Sequence, residues 1–295
     1  MAGASASIAS TTVALTGPLG VAVGLASGLA VGFALGLTGG GGSIFAVPLL
    51  VYALGVAPKV AVGVSLAAVG ATAAFGMIQR LRAGEVEVGT GLIFSIAGMI
   101  GAPIGSWVGS RMPDRLLLLM FAGVMVLVAA RMWRRSVSRP EEAGAIRAAS
   151  DAPGLTERGP ACRRDPAGRL RMSSRCAGLL ALVGLATGAL SGLFGVGGGF
   201  VIVPALVFFS GMGIHRAVAT SLLAIALVSA SGVASHVASG RPLPLGVTLL
   251  FIAGGVAGMW AGTRLGRKLS GPRLQQIFAV AILVVAAFVV ARNLS

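Results

Sequence analysis

Leu37-Thr-Gly-Gly-Gly-Gly-Ser-Ile-Phe-Ala-Val-Pro-Leu49 returns 156 residues later as Leu193-Phe-Gly-Val-Gly-Gly-Gly-Phe-Val-Ile-Val-Pro-Ala-Leu206. A run of glycines followed by a proline, set between apolar stretches, breaks a helix, and two such breaks at one offset mark a duplicated chain. Around them the same offset pairs Gly28, Gly32 and Gly36 with Gly184, Gly188 and Gly192, and Ser65-Leu66 with Ser221-Leu222. After Gly84 and Gly240 the register slips by one, so that Gly101, Gly105 and Gly109 meet Gly258, Gly262 and Gly266. A further slip pairs Arg115-Leu116 with Arg273-Leu274.

The repeat lies in a chain of 295 residues that is 56% hydrophobic and 11% charged, far below the quarter of charged residues usual in soluble domains. Each half reads as five apolar segments: 17–38, 43–55, 59–79, 88–110 and 115–133, then 176–194, 199–211, 215–238, 244–265 and 273–291. A helix needs about 20 residues to cross a bilayer, so most of these span it, while the second of each set reaches only some 20 Å. The expected fold is all-α: a polytopic membrane protein of two inverted repeats. Residues 1–16 read as a leader, 17–133 as the first transmembrane repeat and 176–295 as the second.

Residues 134–175 carry ten arginines and five acids, a composition that cannot bury a core, and form the linker between repeats. The positive-inside rule puts this linker in the cytoplasm. Five crossings per half then also place Arg80, Arg82, Arg216, Arg264, Arg267, Lys268 and Arg273 inside. Four would expose the cluster from Arg264 to Arg273, so odd and therefore inverted halves are preferred. The expected location is a cell membrane, inner or plasma, crossed many times. The net charge of +15 sits in the connections, which excludes nucleic acid as partner. The bilayer and a small anionic substrate are the expected partners, with a homo-oligomer allowed. Cys162 and Cys176 fall short of a four-ligand zinc site and are expected as free thiols; no metal or cofactor is implied.

Paired Gly/Pro interruptions in corresponding halves point to a transporter's binding site. Gly39, Pro48, Gly195 and Pro204 are the structural breaks. Gly41, Gly42, Ser43, Gly197, Gly198 and Gly199 offer main-chain N–H groups at the positive end of the following half-helix, a setting for an anion. Ser65, Thr220 and Ser221 add hydroxyl donors, and Lys59, His215 and Arg216 attract the anion at the segment mouths. All eight acids, Glu85, Glu87 and Asp114 among them, lie in connections, which argues against a cation or a carboxylate proton relay. No nucleophile has an evident base, so no catalytic residue is assigned and an enzyme is not expected. The spaced glycines Gly28/32/36, Gly184/188/192, Gly101/105/109 and Gly258/262/266 read instead as helix-packing positions.

The two Gly-rich/Val-Pro stretches, with Ala219-Thr-Ser-Leu222 downstream, resemble the sulfite exporter TauE/SafE family over both halves but not the linker. The resemblance implies export of sulfite or an organosulfonate, and the paired inverted halves add the expectation of a secondary transporter working by alternating access. A non-transporting membrane scaffold and an anion channel are the alternatives. Within the doubled pattern Gly40 faces Val196, Ser43 faces Gly199 and Val64-Ser65 stands against Thr220-Ser221, so the two breaks are not identical.

Overall fold

The computed structural model describes residues 17–138, 174–210, 212, 214–266 and 271–294. These form ten helical elements and, among the described residues, no strand: α1 (Pro18–Thr38), α2 (Gly41–Ala53), α3 (Pro58–Arg82), α4 (Val88–Arg111), α5 (Asp114–Ser138), α6 (Ser174–Phe194), α7 (Gly199–Ser210), α8 (Ile214–Ala238), α9 (Leu245–Gly266) and α10 (Gly271–Leu294). The expected leader and most of the linker lie outside the described residues. Seven of the described helices are long and apolar enough to cross a membrane. Helix α5 runs past residue 133 into Arg134, because arginine is a good helix former and suits the negative end of the dipole.

Helix ends follow local chemistry. Pro18 and Pro58 open α1 and α3, where the missing N–H costs nothing. Gly39 (φ 73) closes α1 by donating to Leu35 O at 2.7 Å, and Gly195 (φ 71) closes α6 by donating to Ser191 O at 2.8 Å. Both adopt the left-handed conformation that glycine reaches without a Cβ penalty. The short α2 is irregular: a tight turn over Gly41–Phe45, one α turn over Ala46–Pro48 and a wide turn over Leu49–Ala53, as expected where Pro48 removes a ladder donor. Helix α7 stays regular around Pro204.

The two halves interlock. Helix α1 lies along α9: a Cβ on Gly28, Gly32 or Gly36 would run into the main chain of Phe251, Gly255 or Met259 respectively. Helix α6 lies along α4 in the same way, with Gly184, Gly188 and Gly192 against Phe94, Gly98 and Ala102. In both seams the numbers rise together, so each pair is parallel. The spaced glycines are therefore packing positions, admitting backbone-to-backbone contact where lipid offers no hydrophobic drive for association. Helices α3 and α8 cross the centre antiparallel, with Gly63 on His236, Gly70 on Ser229 and Gly76 on Leu222. Helices α5 and α10 pack on each other at the flank; Phe278 of α10 meets Phe45 of α2 and Phe121 of α5 meets Phe194 of α6. Apolar side chains such as Ile96, Ile100, Trp107, Leu127, Val284 and Phe288 stay exposed on the outside, a surface suited to lipid.

One expectation fails. Cys176 is disulfide-bonded and fully buried, not a free thiol. Two cysteines, too few for a zinc site, still suffice for one disulfide.

Candidate functional site

The breaks approach the α3–α8 pair from opposite ends and meet at its middle. Gly195 lies against Val62 near the start of α3, Gly197 against Val69 and Ile225, and Gly199 against Ile225. From Val62 to Val69 is about 10 Å of helix, so the second break dives from one end to the centre. Gly39 lies against Val218, near the start of α8. At the centre the two breaks touch: a Cβ on Gly40 would stand 2.5 Å from Gly199 O, and one on Gly199 would stand 2.6 Å from Gly40 Cα.

Each break is tied to the other half by a serine. Ser65 of α3 donates to Gly195 O at 2.5 Å, and Ser221 of α8 donates to Gly39 O at 2.8 Å and shares that hydroxyl with Val218 O. Both serines are fully buried. The carbonyl freed at each helix end would otherwise be an unsatisfied acceptor in an apolar interior. Ser43 is also buried and donates to Gly40 O at 2.8 Å. Gly41 faces Thr38, and Gly42 sits on the main chain of Ala34 and Leu35. Gly197 and Gly198 are both left-handed (φ 65 and 67), whereas Gly41 and Gly42 are not. The second break thus depends more on glycine, and its Gly198 faces Thr187 and Ser191.

The other expected residues lie elsewhere. Thr220 accepts the Glu87 N–H at 3.0 Å and so ties α8 to the α3–α4 turn. His215 and Arg216 are exposed at the start of α8. Lys59 forms an ion pair with Asp114 at 3.4 Å. Pro48 lines an apolar groove of about 390 Å³ with Phe45, Tyr52, Val285 and Phe288.

Three groups are prominent in the structure that the sequence reading did not assign to the site. The turns after α3 and α8 are alike: Gly84 (φ 69) and Gly240 (φ 68) let Glu85 N reach Arg80 O at 3.1 Å and Arg241 N reach His236 O at 3.4 Å. This Schellman-type turn folds residue 85 back on residue 80, and 241 back on 236. Glu85 pairs with Arg80 at 3.1 Å. Arg241 instead faces His236 Nδ1 at 3.5 Å and donates to Ser106 O at 3.2 Å. Arg241 is half-buried, and burial lowers its pKa from the usual arginine value. With Lys59, Ser106, Gly109 and Gly192 it lines a narrow cleft of about 10 Å³, room for roughly one water. The repeat offset holds the missing signal, since it sets Arg241 opposite Glu85. The remaining two, Ser106 and Ser191, lie on helices that the sequence reading treated as packing surfaces only.

A family model described as "Sulfite exporter TauE/SafE" matches residues 8–289. The chain is 35% identical over 263 residues to a "Probable membrane transporter protein" of Xylella fastidiosa (strain 9a5c), covering 87% of this chain and 90% of that protein. It is 28% identical, over 84% of this chain and 89% of the other, to "Probable membrane transporter protein YunE" of Bacillus subtilis (strain 168). No solved structure matches it.

Proposed function

The chain belongs to the sulfite exporter TauE/SafE family and is a multi-pass bacterial membrane transporter; from that premise we propose that it exports a small sulfur-containing oxyanion, sulfite or an organosulfonate, by alternating access. The observation that carries this reading is the meeting of two glycine breaks at mid-molecule, each carbonyl held by a serine of the opposite half. The oxyanion sits where the breaks meet, held by main-chain N–H groups of Gly41 and Gly42 and of Gly197, Gly198 and Gly199, whereas the Ser43 N–H is spent on Gly40 O at 3.4 Å. Ser65 and Ser221 act as latches that fix the breaks, rather than as direct ligands.

The halves are inverted repeats. Parallel α1–α9 and α6–α4 seams with an antiparallel α3–α8 pair support this, because hairpins joining α3 to α4 and α8 to α9 then make corresponding helices run oppositely. With the Arg-rich linker inside, Lys59, Arg111 and Arg241 lie at the outer end, and Arg80, Glu85 and Arg216 at the inner end. The breaks touch in this conformation, so the described state is occluded at the centre. Rocking of the halves about the latched contacts opens one end at a time.

A potential of 100 mV contributes about 2.3 kcal/mol per elementary charge, so an inside-negative cell drives a monovalent anion outward without a coupled ion. The test is flux of radiolabelled sulfite and sulfonates in proteoliposomes. Potential-driven anion flux supports the proposal, and indifference to every anion sinks it in favour of a scaffold role.

A further inference from the structure

The two breaks carry different chemistry in their surroundings. Among the described residues, the hydroxyls of Ser106, Ser191 and Ser229 are buried with no hydrogen-bond partner. All three cluster on the second break and its approach. Ser229 Oγ lies 3.3 Å from where a Cβ on Gly197 would stand, Ser191 Cβ lies 3.6 Å from that of Gly198, and the Ser106 main chain lies 2.9 Å from that of Gly192. A buried hydroxyl without a partner costs about 1–3 kcal/mol, and buried polar side chains are satisfied as a rule. Two beside one glycine run and a third in the cleft leading to it point to a missing acceptor.

The first break lacks all of this. At the repeat offset Ser191 becomes Leu35 and Ser229 becomes Ala73, both fully buried and apolar. The counterpart of Ser106 is Thr263, whose hydroxyl is spent on Met259 O at 2.7 Å. Charge follows the same division. The first half neutralises its turn with the Arg80–Glu85 pair, whereas Arg241 has no carboxylate partner among the described residues and lines the cleft beside Lys59.

We propose that the second break is the principal oxyanion site, opening toward the outer Arg241 end, with Ser229, Ser191 and Ser106 donating hydroxyl hydrogen bonds to the anion as it leaves Gly197 and Gly198 and Arg241 taking it over at the exit. This rests on the transporter reading and names which half-site carries the substrate. An oxyanion offers three or more acceptor oxygens and takes hydrogen bonds from the lone hydroxyls and then from the guanidinium in turn along this path. A cation, which hydroxyl oxygens can coordinate, is repelled by the Arg241 guanidinium.

The test uses the full-length protein, purified in detergent for sulfite binding by calorimetry and in proteoliposomes for sulfite flux. Ser229→Ala, Ser191→Ala and Arg241→Gln each raise the half-saturating sulfite concentration tenfold or more, and Arg241→Lys recovers part of the loss. The two serine variants keep or raise the melting temperature of the unliganded protein, since each removes a buried orphan hydroxyl; a merely structural serine would lower it. Arg111→Gln, which removes an exposed cation at the same end, leaves sulfite affinity unchanged. Wild-type affinity in both serine variants overturns the inference while leaving the transporter reading intact, as does equal weakening by Arg111→Gln and Arg241→Gln. A wild-type protein that neither binds nor moves sulfite or a sulfonate overturns both.

Discussion

Replacing Gly32 by alanine tests the claim that backbone contact along the α1–α9 seam fixes how the halves interlock. A methyl there would stand 2.6 Å from the carbonyl carbon of Gly255 and 2.7 Å from its Cα, and closer still to the carbonyl oxygen. Carbon atoms rest at about 3.5 Å or more, so the helices must part by about 1 Å. The obstacle is main chain, which has no rotamer to change. Overpacking of this kind costs about 1–3 kcal/mol, and the better helix propensity of alanine returns at most about 1 kcal/mol. Gly123→Ala in α5, where nothing lies within 4 Å of the new methyl, isolates the propensity gain. Gly32→Ala is therefore expected about 1–3 kcal/mol below Gly123→Ala, and Gly188→Ala in the equivalent α6–α4 seam should match it. The assay is denaturant-induced unfolding in mixed micelles, followed by fluorescence of the three tryptophans. Equal stability of Gly32→Ala and Gly123→Ala would refute the reasoning.

Other outcomes follow from the same geometry. Ser65→Ala and Ser221→Ala each strand a buried break carbonyl and should cost about 1–3 kcal/mol, read by the same unfolding assay, with a matching loss of anion flux. Alanine at Gly195 combines a left-handed φ with a clash against Val62 main chain, whereas alanine at Gly55 (φ 65) meets nothing within 4 Å. Thermal melting should therefore show Gly55→Ala losing about 1–2 kcal/mol and Gly195→Ala clearly more. The Lys59–Asp114 pair is partly exposed, so Asp114→Asn should shift stability by less than about 1 kcal/mol. Flux assays on Asp114→Asn should show anion affinity held or increased, as a nearby negative charge is removed from the Arg241 cleft.

Much of this protein is legible in its sequence because membranes impose simple rules. Apolar length defines the spans, glycine and proline define the breaks, and a fixed offset reveals the duplication. The helix bounds from Pro18–Thr38 to Leu245–Gly266 lie within about three residues of those read from hydropathy for most elements, since hydrogen bonding in lipid must be satisfied inside each segment. The spaced glycines also announce close helix contact, because lipid-embedded helices associate by packing rather than by hydrophobic drive.

What sequence periodicity cannot supply is which helix a glycine face meets and which hydroxyl meets which carbonyl. Ser65 and Ser221 look like ligands along the chain, but tertiary contact gives their protons to Gly195 O and Gly39 O. Thr220, adjacent to Ser221, is directed by the helical turn to the Glu87 N–H instead. Arg241 reads as a loop charge until the turn at Gly240 folds it back beside His236 and Ser106. The sequence by itself determined the membrane class, the two halves and the breaks, all of which depend on local composition. Only the tertiary structure decided which donors are already spent and which stay unpaired, because partners distant in the chain meet only when the two halves interlock.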